Sequence, residues 1–259
     1  MLVGFVQWPD GLIPKSETWS ALAADVASSA PDLLVTNEMP FGAWLAAYPS
    51  FDVERARESV EIHEEGLEAL RALNVPLVIS SRPVIAGDRL ANEAFVLERG
   101  SLHSLHQKHF FPAEEGWFET RWFTTSKPGF ESIEVGGLRI GALLCTELMF
   151  NEKARAYGKA GAHLIAVPRA TGQSIAEWQT AGAMAAIVSG CYVVSSNRLG
   201  SNSGGPRFGG GGYAFAPNGS LLCQSQQGLS ITVFSFDKQR AEEQKSQYPV
   251  YVEELVPPI

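Results

Sequence analysis

Short, mostly apolar runs alternate with longer segments of helical periodicity along much of this chain. The runs predict strands at residues 2–7, 33–35, 76–84, 90–97, 101–107, 138–144, 162–167 and 192–196. Apolar positions three and four residues apart predict helices at residues 16–29, 53–73, 151–160 and 174–189. Strands that alternate with helices are typical of βαβ units, so we expect an α/β fold with largely parallel sheets.

The predicted elements follow one another without a linker or a short-period repeat. A chain of 259 residues can form two domains, but this length is also common for one large α/β domain. Because no stretch of the chain interrupts the pattern, we expect residues 1–259 to form a single domain.

Composition narrows the choice of partners and of compartment. The chain is 45% hydrophobic and has a formal net charge of −8, which argues against nucleic acid or an anionic membrane as the main partner. No apolar run is long enough to span a bilayer, and the N-terminus predicts a strand and not a signal peptide. The odd number and wide spacing of the cysteines indicate reduced thiols in a cytoplasmic protein, at Cys145, Cys191 and Cys223.

Three reactive or charged side chains each follow a predicted strand directly: Glu38, Lys108 and Cys145. Ligands bind at the carboxyl ends of the strands in sheets of this kind, so we expect the three side chains to meet at one edge. A carboxylate can take the proton of a thiol, an ammonium group can stabilise a thiolate and an oxyanion, and a cysteine can form an acyl intermediate. The helix predicted after Cys145 would also favour its thiolate form.

Each of these residues, taken singly, also has an ordinary explanation. Glu38 would be a capping or solvated carboxylate, Lys108 an exposed lysine that adds little to stability, and Cys145 a buried apolar side chain. Five histidines raise a Cys–His protease as another candidate, but the papain-type cysteine signature is absent. Among them, His63 lies on a highly charged helix and is expected to be solvated. The shared placement of the three strand-end residues favours the catalytic interpretation.

Three blocks of sequence identify a family. They read Leu-Leu-Val-Thr-Asn-Glu at residues 33–38, Gln-Lys-His-Phe at 107–110 and Gly-Ala-Leu-Leu-Cys-Thr-Glu at 141–147. Further matches are the opening strand, Gly-Ala-His-Leu-Ile-Ala-Val-Pro at 161–168 and Phe-Gly-Gly at 208–210. In this order and spacing, the chain resembles the nitrilase superfamily of carbon–nitrogen hydrolases, in its amidase-like branch, over nearly its whole length.

The resemblance implies a catalytic triad with Glu38 as the general base, Lys108 as an electrostatic stabiliser and Cys145 as the nucleophile. A second glutamate follows the lysine in many members of the family. Glu115 fits that position best, with the adjacent Glu114 as the alternative. The resemblance also implies a four-layer α-β-β-α sandwich of the nitrilase type, a homodimer packed through the helices near the nucleophile, and no metal or organic cofactor.

Four further residues are candidates for the substrate pocket. The backbone N–H of Thr146 would complete the oxyanion hole, as the equivalent position does in the family. Trp117 lies close to the proposed second glutamate in the sequence, and His109 lies beside Lys108. Arg169 follows a predicted strand, where it would bind a substrate carboxylate or form a surface salt bridge.

The expected activity is hydrolysis of a small linear amide, or of a related non-peptide C–N bond, through a thioester on Cys145 that releases ammonia or an amine. A nitrile hydrolase or an acyltransferase of the same family, and a non-catalytic ligand-binding protein on this fold, are the alternatives. Nitrilases typically carry tryptophan after the cysteine, where this chain has Thr146. We therefore expect amides to be better substrates than nitriles.

Overall fold

A computed structural model gives the fold of the protein and describes residues 1–201 and 205–253. The predicted domain of residues 1–259 also includes residues 202–204 and 254–259, which lie outside this description. The strands are β1 (Leu2–Val6), β2 (Leu33–Val35), β3 (Leu77–Ala86), β4 (Arg89–Glu98), β5 (Ser101–Gln107), β6 (Ile133–Val135), β7 (Leu138–Ala142), β8 (Leu164–Val167), β9 (Tyr192–Ser195), β10 (Leu199–Gly200), β11 (Phe208–Gly209), β12 (Tyr213–Phe215), β13 (Leu221–Gln224) and β14 (Ile231–Ser235). The α-helices are α1 (Glu17–Ser29), α2 (Val53–Ala72), α3 (Glu119–Trp122), α4 (Asn151–Lys159), α5 (Ala176–Ser189) and α6 (Lys238–Gln244), and single 3₁₀ turns lie at Leu45–Ala47 and Cys145–Met149.

Two six-stranded sheets form the centre of the molecule. The first has the strand order β14-β1-β2-β3-β4-β5, and the second has the order β13-β12-β9-β8-β7-β6. Among the described strands, parallel pairs are confined to β1, β2 and β3 in the first sheet and to β7, β8 and β9 in the second. The sheets are thus mixed, whereas the sequence pattern predicted largely parallel ones. Antiparallel pairing of β3 with β4 follows from their short connection through Gly87, since a parallel pair needs a long crossover.

Three apolar clusters fill the spaces between four layers. Val35 of the first sheet and Ala166 of the second belong to the central cluster, which the two sheets share. Successive side chains of a strand point to opposite faces, so the neighbouring Leu34 joins a second cluster under α1 and α2. In the same way, Ile165 joins a third cluster under α4 and α5. These contacts confirm the predicted α-β-β-α sandwich.

The direction of the strands decides which loop ends meet. Strand β5 pairs antiparallel with β4, which itself pairs antiparallel with β3, so β5 runs in the same direction as β2 and β3. The residues after β2 and after β5 therefore leave the first sheet at the same edge.

Within residues 1–201 and 205–253, none of the helices combines the length and the apolar character needed to cross a membrane.

Helix α2 buries His63, which the sequence pattern predicted to be solvated. The residue is only 4% exposed, and its ring packs edge-on against Phe41 at a centroid distance of 6.1 Å. Its Nδ1 lies 2.7 Å from the carbonyl oxygen of Ser59, which can only accept, so Nδ1 carries the proton of a neutral ring. Burial lowers the pKa of His63 to about 4. The charged residues on this helix hide the fact that the histidine lies on its inner face.

Candidate active site

Backbone contacts with the second sheet hold Glu38 just past the end of β2. Its N–H donates to the carbonyl oxygen of Arg169, which follows β8, at 3.3 Å. The guanidinium of Arg198, which follows β9, donates to the carbonyl oxygens of Glu38, at 3.1 Å, and of Met39. Met39 has a positive φ of 42°, which is uncommon for a residue with a side chain. The backbone at Glu38 is thus held by residues that follow strands of the second sheet, so the position of this residue depends on the packing of the two sheets.

Lys108 lies between two buried carboxylates. Its Nζ is 2.8 Å from Oε1 of Glu38 and 2.7 Å from Oε2 of Glu119, and all three side chains are fully buried. Nδ2 of Asn92 also donates to Oε1 of Glu38, at 2.8 Å. Oε1 of Glu38 therefore accepts two hydrogen bonds, while its Oε2 has no partner among the described residues. This second oxygen is available to take a proton.

Cys145 stands on a sharp turn after β7. Its backbone has a φ of 53°, and its N–H donates to the carbonyl oxygen of Pro168 at 3.0 Å. A non-glycine residue in this conformation costs about 1–3 kcal/mol, and such strain clusters at functional sites. Cys145 is 3% exposed, and it is the first residue of the 3₁₀ turn Cys145–Met149, which leads into α4. The predicted sequence of strand, turn with cysteine, and helix is therefore present.

Glu147 joins the loop that carries Lys108 to the turn that carries Cys145. Its Oε1 accepts the backbone N–H of His109 at 2.7 Å, and its Oε2 accepts the N–H of Leu144 at 2.8 Å. His106 lies 2.8 Å from Oε2 through Nε2, and its Nδ1 accepts the N–H of Phe130 at 3.1 Å. Nε2 must therefore carry the proton and donate to Glu147.

His106, His109 and Glu147 also lie close enough together to surround a metal ion. The hydrogen bonds of His106 leave neither of its ring nitrogens with a free lone pair, and the Glu147 carboxylate already accepts three donors. This cluster is therefore built as a hydrogen-bond network that holds two loops together.

The charges at the site set the protonation of its groups. Burial opposes the charge on Lys108, but the carboxylates of Glu119 and Glu38 outweigh that penalty and raise the pKa of its ammonium group. Burial also raises the pKa of Glu119, despite the nearby Lys108. Burial and the Glu38 carboxylate raise the pKa of the Cys145 thiol, and Lys108 offsets only part of this effect. Burial and the neighbouring carboxylate thus favour the protonated thiol in the resting protein, whereas the helix that follows was expected to favour the thiolate.

A pocket of about 320 Å³ opens onto Cys145. Its wall combines backbone and small side chains after β8 with two tryptophans and two glutamates. The lining residues are Pro112, Glu114, Trp117, Cys145, Thr146, Ala170, Thr171, Gly172, Gln173, Ser174, Glu177 and Trp178. The indole N–H of Trp117 donates to the carbonyl oxygen of Ala170 at 2.9 Å, which fixes this ring against the segment that follows β8.

Most of the residues proposed from the sequence meet at this site. Glu38 and Lys108 are in contact, and both of their charges act on the Cys145 thiol. Thr146 and Trp117 line the pocket, as expected.

The assignment of the second glutamate needs correction. Glu115 is exposed and does not contact Lys108, and the alternative, Glu114, lies at the wall of the pocket. The residue that reaches Lys108 is Glu119. A turn at Gly116, with a φ of 83°, and the short helix α3 rotate the chain so that Glu119 points inward and Glu115 outward.

His109 and Arg169 do not line the pocket. His109 places Nδ1 2.6 Å from the carbonyl oxygen of Gln107 and gives its backbone N–H to Glu147. Arg169 is neither on the surface nor directed at the pocket: it is 1% exposed and donates to Ser195 Oγ at 2.7 Å and to the carbonyl oxygen of Gly211 at 2.8 Å. Its guanidinium holds the second sheet and the loop after β11 together.

Sequence reasoning missed Asn92, Glu119, Glu147 and Arg198. Glu147 had a usable signal, because it follows Cys145 by two residues in the block that identified the family. Glu119 had a weaker one in Trp122, an apolar residue three positions later that marks one turn of helix. Asn92 and Arg198 reach the site from β4 and from the segment after β9, and nothing in their local sequence distinguishes them.

A two-sheet sandwich with a thiol, an ammonium group and two carboxylates buried at one edge is the arrangement of the nitrilase superfamily. The chain matches the family model of carbon-nitrogen hydrolases over residues 14–245, and it belongs to this family. The described fold is similar to that of a carbon-nitrogen hydrolase from Helicobacter pylori G27, with a TM-score of 0.84, 23% identity and coverage of 97% of this chain and 94% of that one. It is also similar to an amidase from Nesterenkonia sp., with a TM-score of 0.76, 20% identity and coverage of 94% and 92%.

Two curated relatives are amidases. The chain is 26% identical over 192 residues to the chloroplastic omega-amidase of Arabidopsis thaliana, an alignment that covers 71% of this chain and 52% of the relative. It is also 26% identical over 162 residues to an (R)-stereoselective amidase from Pseudomonas sp, and this alignment covers 61% of this chain and 56% of the relative. These matches span only about half the length of either relative.

Proposed function

We propose that the protein hydrolyses small linear amides, or related non-peptide C–N bonds, through a thioester on Cys145. Glu38 acts as the general base, and Lys108 and the backbone N–H of Thr146 stabilise the oxyanion. Glu119 balances the charge of Lys108 and takes the place that the sequence assigned to Glu115.

Acylation begins with transfer of the thiol proton to Glu38. The sulfur then attacks the carbonyl carbon, a C–S bond forms, and the carbonyl electron pair moves to the oxygen. Lys108 and the Thr146 N–H stabilise the negative charge there. When the tetrahedral intermediate collapses, the C–N bond breaks and Glu38 returns its proton to the departing nitrogen, so ammonia or an amine leaves.

Deacylation uses the same groups with water in place of the thiol. Glu38 takes a proton from the water as its oxygen attacks the thioester carbon. The C–S bond then breaks, Glu38 protonates the departing sulfur, and the acid leaves. Because Glu38 serves both steps, one of its oxygens must be able to take up and return a proton in each.

One observation carries this proposal. Glu38 is fully buried and acts electrostatically on the Cys145 thiol, with Oε1 fixed by Lys108 and Asn92 and with no partner for Oε2 among the described residues. A buried acceptor without a donor costs about 1–3 kcal/mol. Glu119 also has an oxygen without a hydrogen-bond partner, but the Glu38 charge acts more strongly on the Cys145 thiol, which favours Glu38 as the base.

The test is a screen of amides, N-carbamoyl compounds and nitriles with detection of released ammonia. We expect turnover of linear amides, and formation of a hydroxamate when hydroxylamine replaces water. Cys145→Ala should abolish turnover, while Cys223→Ser should retain it, because Cys223 lies on β13 outside the pocket. Turnover that survives in Cys145→Ala would refute the assigned nucleophile.

We also propose that the protein is a homodimer. The face formed by α4, α5 and the turn before α4 carries large exposed apolar side chains, at Met149, Phe150, Ile175 and Met184. A second copy of this chain would cover them. Light scattering should give about twice the chain mass of 28.0 kDa at micromolar concentration. A monomer under these conditions would contradict the proposal.

The cysteines support a location in the cytoplasm, which we also propose. All three are free thiols, and Cys191 lies 3.1 Å from Nζ of Lys245 without a second cysteine to pair with. A reducing compartment preserves such thiols. Cell fractionation with thiol-specific labelling tests this location, and recovery of the protein in an oxidised extracellular fraction would contradict it.

A further inference from the structure

The wall of the Cys145 pocket is negatively charged. Glu114 contributes one carboxylate from the loop before α3, and Glu177 contributes the other from the first turn of α5. Among residues 1–201 and 205–253, no lysine or arginine lines the pocket.

The nearest buried cations do not cancel this charge. Lys108 is paired with Glu38 and Glu119. Arg169 donates to Ser195, Thr171 and the carbonyl oxygen of Gly211, and its guanidinium lies 5.1 Å from the centroid of the Trp178 ring, behind the wall of the pocket. The two buried cations, Lys108 and Arg169, are matched in number by the two carboxyl groups of Glu38 and Glu119, so the two carboxylates of the wall set the sign of the charge in the pocket.

The positive end of the α5 dipole opposes the negative charge of these two carboxylates, but its effective charge is smaller. The N-terminal end of α5 faces the pocket and is equivalent to about half a positive charge. Glu177 lies in that same turn and offsets it with a full negative charge. Glu114 then leaves the pocket with a net negative charge.

The aromatic wall favours the same sign of ligand. Trp117 presents a ring that is held in place by its bond to Ala170 and by an edge contact with Phe208 at 6.3 Å. The face of an indole attracts cations through its quadrupole, more strongly than any other side-chain ring. A fixed indole and two carboxylates around one pocket form a receptor for an organic cation.

We propose that the preferred substrates are cationic amides, in which a short chain joins the carboxamide to an amine or guanidine group. This inference rests on the proposed amidase function, since it places the carboxamide at Cys145 and the positive charge between Glu114, Glu177 and Trp117. An anionic chain end would instead meet two like charges with no cation to receive it.

Three amides of equal chain length test the proposal: 6-aminohexanamide, heptanamide and the monoamide of pimelic acid. They differ only in whether the far end is cationic, neutral or anionic. Exposed ion pairs and a single cation–π contact are each modest, so we expect kcat/KM to favour the cationic over the neutral amide by about tenfold. The anionic amide should be the poorest substrate, and 0.5 M salt should reduce the differences because it screens charges that face solvent.

Variants connect the preference to the two carboxylates. In Glu114→Gln/Glu177→Gln, the ratio of cationic to neutral kcat/KM should fall from about tenfold to about twofold, the remainder being due to Trp117. Glu115→Gln is the matched control, because Glu115 is exposed in the same loop but does not line the pocket, and it should keep the tenfold ratio. An unchanged ratio in the double variant would overturn the proposal.

Binding separates this proposal from the proposed activity. Calorimetric titration of the three amides into Cys145→Ala measures charge preference without turnover. Tighter binding of 6-aminohexanamide supports the charge preference even if no amide is hydrolysed, a result that would refute only the amidase function. Hydrolysis of all three amides with equal kcat/KM, or with the anionic amide preferred, would refute the charge preference and leave the amidase function intact.

Discussion

Replacing Lys108 by methionine should reduce stability as well as turnover. The sequence alone led us to expect an exposed lysine whose loss leaves the thermal midpoint nearly unchanged. In the structure, Lys108 is fully buried and is the shared partner of Glu38 and Glu119. Methionine fills a similar volume but leaves the carboxyl groups of Glu38 and Glu119 without a cation, so one of them either stays a buried unpaired charge or takes up a proton. The variant therefore removes the compensation of charges that have already lost their water.

The size of the effect follows from the two short contacts. At an effective dielectric constant of about 20, unit charges at the distances of 2.8 and 2.7 Å attract by about 6 kcal/mol per pair. Most of this attraction only offsets the desolvation of the three groups, and breaking a buried pair typically costs about 3–5 kcal/mol. For a chain of this size, each kcal/mol lowers the midpoint of thermal unfolding by about 2–4 °C. We therefore expect a decrease of about 6–20 °C.

Thermal unfolding followed by circular dichroism, with urea denaturation in parallel, measures this loss. The matched variant is Lys108→Met/Glu119→Gln, which removes one of the two carboxyl groups left without a cation and should recover part of the lost stability while remaining inactive. A thermal midpoint for Lys108→Met within 2 °C of the wild type, or a double variant less stable than the single one, would refute the electrostatic argument.

Three other predictions test separate parts of the structure. Glu147→Gln should lower kcat/KM by about 10- to 100-fold with little change in KM, because an amide group cannot accept hydrogen bonds from the His106 ring and from both backbone N–H groups. Glu152→Gln on α4 is the control. Acidification from pH 7 to 5 should lower the free energy of unfolding by about 2 kcal/mol through His63, because its folded pKa of about 4 lies below its unfolded value near 6.5 and the unfolded chain takes up the proton first. Urea denaturation of His63→Leu should show a smaller pH dependence of this free energy, and an identical dependence would contradict the argument. Matched amide and nitrile pairs should give the higher kcat/KM for the amide, and equal or faster nitrile turnover would show that Thr146 does not select the reaction.

The sequence was sufficient for the parts of the site that lie at strand ends. Glu38 and Cys145 follow strands with a clear apolar pattern, whereas Lys108 follows β5, in which only Leu102 and Leu105 are apolar. Strands of one direction end at one edge. Strand β5 shows why the rule worked even in a mixed sheet, because two successive reversals restored its direction. The four layers could also be predicted from the sequence. Successive residues of a strand point to opposite faces of its sheet, and helices cover one face while the other sheet covers the second.

Residues outside regular elements could not be placed in the same way. Choosing among Glu114, Glu115 and Glu119 required the conformation of the turn at Gly116, which no periodicity encodes. The role of Arg169 depended on partners 26 and 42 residues away along the chain. The effects on the ionisation of Cys145 could not be weighed for the same reason: the nearby helix is visible in the sequence, but Glu38 and the depth of burial are not.

The division of the site between two sheets has a consequence for how its activity is maintained. Glu38 and Lys108 leave the first sheet, Cys145 leaves the second, and neither sheet contains a complete set of groups. Glu147 bonds to both loops at once, through the N–H of His109 on one side and that of Leu144 on the other. In the proposed mechanism the base must lie within about 3 Å of the group whose proton it removes, so a small shift between the sheets would separate Glu38 from the thiol before either sheet unfolds. The fully satisfied bonds of Glu147 and the buried pairs of Lys108 resist that shift, which explains why so much polar hydrogen bonding is placed between two otherwise apolar layers.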